Sequence, residues 1–281
     1  MSGRGLPVVG ELTTLGMAFL AVLLAVIIAL PALGWSYINS VVIFVLYLAM
    51  VGQSWNLMLG FAGLLSIGHA LFVGVGAYAA AYLFARQGIP PVIGVFAGIA
   101  LACAIGAAIG YLGFRFSVRG VHFALLTIAF AEFVRILVDH APFLGAAEGL
   151  FLPVKASERS GVDLINLRGR PEMFYYLMAV LCFGTLILCR RLLRSKLGYY
   201  WQAIRDDQEA AEASGINIFR YKMYAVLFSS GIAGVAGVFI AFYNNNLFPD
   251  STFGIERSIE LTLAPIVGGV GSLFGPIFGA N

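Results

Sequence analysis

Apolar runs of about 20 residues recur along almost the whole chain, and this feature limits the fold more than any other. They lie near 14–33, 38–59, 66–85, 91–114, 120–140, 172–189, 223–244 and 258–280. Each has the length of a helix that crosses the hydrocarbon core of a bilayer. No segment shows the ~10-residue alternation of a membrane barrel. The fold class predicted is all-α: a polytopic membrane protein of about eight transmembrane helices, with residues 1–281 forming one transmembrane domain.

Composition agrees. The chain is 60% hydrophobic and 11% charged, with mean hydropathy +0.93. Soluble chains are roughly 45–50% apolar and about 25% charged. A soluble globular domain, a disordered chain and a nucleic-acid binder are thereby excluded. Cys103, Cys182 and Cys189 sit in apolar runs without metal-ligand spacing and read as small core residues. The first run has Arg4 as its only preceding basic residue and no small-x-small cleavage site, so it reads as a retained helix rather than a signal peptide.

Orientation follows from the basic residues between runs. Segment 190–222 holds seven of them: Arg190, Arg191, Arg194, Lys196, Arg205, Arg220 and Lys222. That segment is expected on the cytoplasmic side, which also places the N-terminus there. Segment 141–171 then faces outward. It carries Glu148, Lys155, Glu158, Arg159, Asp163, Arg168 and Arg170, each of which reads singly as a solvated residue, while the loop as a whole reads as a docking unit.

Two apolar segments are interrupted by glycine: 60–76 (GFAGLLSIGHALFVGVG) and 268–279 (GGVGSLFGPIFG). Non-helical backbone at membrane depth is tolerated where it lines a cavity or is buried in protein. In transporters such paired breaks often flank the substrate path. Gly94/Gly98 and Gly106/Gly110 read as helix-packing faces. Polar residues inside the runs are costly and so are candidates for function. Gln53 and Asn56 are three apart, as are Ser66 and His69, and Glu132 and Arg135. The first four and Glu132 form the candidate substrate path, with Ser66 and His69 near a helix N-terminus suited to a carboxylate. Glu132 and Arg135 are expected to pair with each other. Glu260, at the outer start of the last run, is an ordinary helix-start acid.

Segment 190–222 has two parts. Arg190 to Trp201 is basic and aromatic, expected along the membrane surface with Tyr199, Tyr200 and Trp201 at headgroup depth. Asp206 to Ser214 is expected to be a short helix, with Asp206 and Asp207 at its positive end and Gly215 as its C-cap. Ala210, Ala211 and Ala213 give it a small-residue surface for a partner's groove, with Glu209 and Glu212 at the rim.

Glu209-Ala210-Ala211-x-x-x-Gly215 resembles the EAA-x-x-x-G loop of ABC importer permeases. The pattern in the commonest importers continues to Ile-x-Leu-Pro. Here Ala225-Val226-Leu227-Phe228 stands instead and argues against that class. Trp55-Asn56-Leu57, the run Gly60 to Ala70, Gly74 to Tyr78, Arg119 to Glu132, Glu148-Gly149-Leu150, Ala203 to Asp206 and Gly268 to Ser272 with Gly275-Pro276 together resemble one narrower family. This is the M-type permease subunit of high-affinity branched-chain amino-acid importers, matched over about 38–280.

The resemblance implies a non-enzymatic permease of the bacterial inner membrane. Its implied partners are a second, H-type permease, two ABC ATPases and an extracytoplasmic substrate-binding protein. ATP would be bound by the partner ATPases and no cofactor by this chain, which has no G-x-x-x-x-G-K-[ST] loop. Asp206, Glu209, Ala210, Ala211 and Gly215 would be the ATPase-coupling residues. The implied solutes are leucine, isoleucine and valine, with urea, short amides and other amino acids as alternatives. Family members continue past the last Gly-Pro, so the chain is expected to be cut short near Asn281. Two rival readings stand beside this one. A self-sufficient ion-coupled amino-acid carrier would use Glu132. An intramembrane protease would have only Ser66/His69 to work with, and no G-x-S-x-G or H-E-x-x-H occurs.

Overall fold

The computed structural model describes Pro31, residues 35–153 and residues 162–280. The run at 14–33 apart from Pro31, and Arg4, Lys155, Glu158, Arg159 and Asn281, lie outside the described residues. The elements are α1 (Ser36–Asn56), which runs into one π turn (Leu57–Phe61), α2 (Ala70–Gln87), α3 (Pro91–Arg115), α4 (Val121–Asp139), α5 (Pro171–Arg194), α6 (Lys196–Asp206), α7 (Gln208–Ala213), α8 (Ile218–Asn244), α9 (Pro249–Phe253), α10 (Ile255–Gly268) and α11 (Gly275–Gly279). Among the described residues, five helical stretches are long and apolar enough to cross a membrane: 37–61, 91–115, 121–139, 171–194 and 218–244. That is fewer than the eight runs predicted, for three reasons. One run is not described, and two are reshaped by glycine.

The run predicted at 66–85 becomes α2, which starts only at Ala70 and has 18 residues, about 27 Å of helix. It lies at the centre of the molecule, and from Ala70 to Ala81 only Ala79 is not fully buried. It packs against α3 and α8, which also pack on each other. These three backbones touch. A Cβ at Gly98 would lie 3.1 Å from the Gly76 carbonyl oxygen, and one at Gly237 would overlap that of Val73. In an apolar solvent, close van der Waals contact and not water exclusion holds helices together, so glycine at the contact is the means.

The run predicted at 258–280 is not one span. α10 ends at Gly268, Gly269 and Gly271 turn the chain at positive φ, and α11 folds back on α10. Gly279 sits against the Ala264 carbonyl, and Pro265 and Pro276 both pack on Gly52 of α1. α1 also packs along α5, so the hairpin and α5 flank it.

The molecule has two ends. The basic end carries α6 and α7. The opposite end carries two small antiparallel pairings: β1 (Leu150–Phe151) with β4 (Asn246–Leu247), and β2 (Val162–Asp163) with β3 (Arg168–Gly169). The loop there is more structured than its charge pattern implies. Arg168, expected in solvent, is buried. Its guanidinium donates to Asn245 Oδ1 and to the Pro153 carbonyl, and lies 5.1 Å and 5.7 Å from the Phe84 and Phe242 ring centres. Asp163 closes an Asx turn, accepting from the Asn166 side chain and from the Ile165 and Asn166 backbone. The Asn166 amide and these backbone donors hold its carboxyl below the ordinary range.

Candidate functional site

Between the π turn and α2 the chain runs non-helically through 63–69. Backbone polar groups there need partners, and side chains from three helices supply them. Trp55 Nε1 donates to the Ser66 carbonyl at 2.6 Å. Thr127 Oγ1 of α4 accepts from the Ile67 and Gly68 amides, both at 3.2 Å. Ser258 Oγ of α10 accepts from the Ala70 amide at 3.1 Å. The α2 N-terminus is thereby capped by protein and is not the open carboxylate receptor expected at Ser66 and His69.

His69 and Ser66 are fully buried. Ser54 Oγ donates to the Ser229 carbonyl at 2.8 Å, and Ser229 Oγ donates to the Ser54 carbonyl at 2.7 Å. Both hydroxyl protons are therefore engaged. The 3.0 Å contact from His69 Nε2 to Ser54 Oγ must then carry the imidazole proton. Nδ1 is left as a bare acceptor, and it has no protein partner; neither does Ser66 Oγ. Gln53 donates weakly to Cys182 Sγ at 3.9 Å, and its Oε1 is also without a partner. The cluster locks α1, α2 and α8 together.

Asn56 joins the two glycine-rich segments. Its Oδ1 accepts from the Gly271 amide at 2.7 Å, and its Nδ2 donates to the Ser272 carbonyl at 2.8 Å. Gly60 lies against the same turn, where a Cβ would stand 2.6 Å from the Gly271 nitrogen. The segments read apart in sequence thus meet as one junction at the basic end. Arg205 of α6 closes it. Its guanidinium donates to the Gly60 carbonyl, and its aliphatic stem covers Gly63. Sequence reasoning gave Arg205 no role, although it stands in the Ala203 to Asp206 motif of the family resemblance.

The short helix is where expected, with two changes. Asp206 belongs to the last turn of α6 and pairs with Arg205 at 3.3 Å. Asp207 alone caps α7, accepting from the Glu209 and Ala210 amides at 2.9 Å and 3.0 Å. Gly215 ends the turn at φ +85°. Glu209, Ala210, Glu212 and Ala213 are exposed, whereas Ala211 faces inward and is buried. Only part of the expected small-residue surface is therefore presented. α6 does not lay its aromatics on the membrane as a set. Trp201 is fully buried and donates to the Tyr221 carbonyl at 2.7 Å, which fastens α6 to α8.

Glu132 and Arg135 pair as expected, through Arg135 Nε at 2.9 Å and 3.0 Å. Arg135 also reaches Asp250 of α9, a third member the sequence did not reveal. Glu132 is half exposed and lines a small crevice beside Ile67 and Gly68, whereas Gln53, Asn56, Ser66 and His69 are buried.

A cavity of about 240 Å³ opens instead toward the other end, between α1, α2, α8 and α9. Phe44, Tyr47, Val73 and Ile240 give it an apolar side, and Asn244, Asn246, Ser251 and Thr252 a polar one. Arg257 of α10 stands in its wall, 5.6 Å and 5.4 Å from the Phe44 and Tyr47 ring centres, and Glu260 holds it at 2.5 Å. Glu260 is thus a guanidinium partner and not merely a helix-start acid.

The model of the family described as branched-chain amino acid transport system / permease component matches residues 37–281. The chain belongs to this family. The high-affinity branched-chain amino acid transport system permease protein LivM of Salmonella typhimurium is 29% identical over 296 aligned positions, covering 98% of this chain and 68% of the relative. LivM of Escherichia coli matches to the same extent. The fructose import permease protein FrcC of Rhizobium meliloti is 27% identical, covering 82% of this chain and 64% of the relative. No solved structure matches. The protein is a multi-pass membrane permease, a transport subunit.

Proposed function

We propose that the permease is the M-type subunit of an ATP-driven, binding-protein-dependent importer. The observation that carries this reading is the placement of the exposed helix α7. It is capped by Asp207, the single extended residue that joins it to α6, whose Arg205 holds the Gly60 carbonyl at the junction of the two helix breaks. A partner that moves α7 therefore moves the backbone where α1, α2 and the α10–α11 hairpin meet. That is a two-state element biased by a second protein. In this reading Glu209, Ala210 and Gly215 are coupling residues presented to an ATPase, Asp206 and Ala211 support them from within, and the basic end and the N-terminus are cytoplasmic. Two ATPases bind ATP beneath this chain and an H-type partner. The exposed apolar residues Tyr37 and Val41 of α1 with Ile259, Leu263 and Val267 of α10 suit that partner.

At the outer end a binding protein docks. The cavity beside Arg257 suits an apolar amino acid, with Arg257 taking the carboxylate and Phe44, Val73 and Ile240 the side chain. This favours leucine, isoleucine or valine over the uncharged urea and amides. The buried Gln53, Asn56, Ser66 and His69 then act as fixed parts of the hinge region, not as solute contacts.

The test is uptake of leucine into vesicles containing the full complex. ATP-dependent uptake that survives Glu132→Gln is expected. Uptake by this chain alone, driven by an ion gradient and abolished by Glu132→Gln, would establish the carrier reading instead.

A further inference from the structure

A separate cavity of about 210 Å³ lies at the basic end, between the 62–65 stretch, the turn before α4 and the helices α6 and α7. Arg119, Arg205 and Lys222 all line it, and no carboxylate does. Lys222 is only 9% exposed. Its ammonium donates to Gln208 Oε1 at 2.6 Å and lies 6.0 Å from the Phe114 ring centre, and both of these partners are neutral. Arg119 meets Glu209 only at 3.8 Å, with both side chains largely in solvent. A buried ammonium without a charged partner is costly, and two guanidinium groups on the same cavity raise that cost, with Asp206 at 3.3 Å offsetting part of the Arg205 charge. The 19-residue helix α4 also begins in the cavity wall, so its positive end adds to the same field.

We propose that this cavity seats a phosphate-bearing anion, and that the anion is the headgroup of an acidic phospholipid. The phosphate chemistry follows from three cations converging on a small polar space. The lipid source follows from what flanks it. Phe116 is 72% exposed, Val121 65% and Leu125 58%, all beside Arg119 and Gly120. They form an apolar strip on which acyl chains lie while the headgroup enters the cavity. Basic pockets between membrane helices bind acidic headgroups in this way. The site shares Arg119 with Glu209 of α7, so headgroup and coupling segment draw on one guanidinium.

The experiment uses the full chain purified in detergent with the subunits that accompany it. After delipidation it receives equal amounts of phosphatidylglycerol and phosphatidylcholine, and retained lipid is read by native mass spectrometry. Phosphatidylglycerol is expected to be retained preferentially. Lys222→Gln and Arg119→Gln should each lower that preference about fivefold, the equivalent of the ~1 kcal/mol that one basic residue contributes near an acidic surface. Arg119 is exposed, so its variant tests the site even if Lys222→Gln fails to fold. Equal retention of the two lipids, or a preference unchanged in Arg119→Gln, overturns the proposal. Displacement of the lipid by millimolar inorganic phosphate overturns the headgroup as the source.

Discussion

Replacing Asn56 with alanine separates a structural clasp from a solute contact. The change removes two hydrogen bonds, from the Gly271 amide and to the Ser272 carbonyl, and nothing nearby replaces them. Orphaning a buried backbone group costs about 1–3 kcal/mol. Interhelical hydrogen bonds within membranes, by contrast, average only about 0.6 kcal/mol. Burial decides between these scales. Both bonds are part-buried and Ser272 is exposed, so water re-satisfies the carbonyl more easily than the amide. One bond at the membrane value and one largely orphaned amide give a loss of about 1.5–3 kcal/mol. For a chain of this size that lowers the unfolding midpoint by about 3–5 °C. Asn56→Asp keeps the acceptor for Gly271 but loses the donor, so it should fall between wild type and Asn56→Ala. The assay is thermal unfolding followed by tryptophan fluorescence, with leucine KM measured in parallel. An unchanged midpoint combined with a raised KM would refute the clasp and put Asn56 on the solute path.

Two further outcomes follow from guanidinium groups lying against aromatic rings. Arg168→Met removes the donor to Asn245 and two ring contacts, and should cost about 2–4 kcal/mol in the same unfolding assay, with Arg168→Lys recovering less than half. Arg257→Gln should raise KM for leucine about 10- to 100-fold, the loss of a charge-assisted carboxylate contact, and should abolish discrimination against the amine that lacks the carboxylate.

The membrane class was legible because apolar runs of span length have few other uses. The α7 helix was legible because Asp207 and Gly215 act locally, through the backbone next to them. What stayed hidden was set by long-range contacts. Nothing near Asn56 in sequence announces Gly271, 215 residues away. Thr127 and Ser258 look like ordinary small residues in apolar runs until the non-helical stretch at 63–69 brings its bare amides to them. The glycine interruption at 268–279 was legible, but hydropathy does not show that it is a fold-back, which needs Gly269 and Gly271 at positive φ. Ala211 and Trp201 were placed on the wrong side of their helices because α6 and α7 are too short for periodicity to fix a face. Arg168 was assigned by charge alone, although aromatic rings can shelter a guanidinium inside the protein.

The most direct test of the account is co-purification of the ATPases with the permease pair, comparing wild type with Glu209→Arg and Ala210→Arg. Both residues are exposed on α7, so the fold should survive either change. The account predicts that the ATPases bind wild type and are lost from both variants while the two permeases stay together. ATPases that remain bound to both variants, or that never bind wild type, would contradict it.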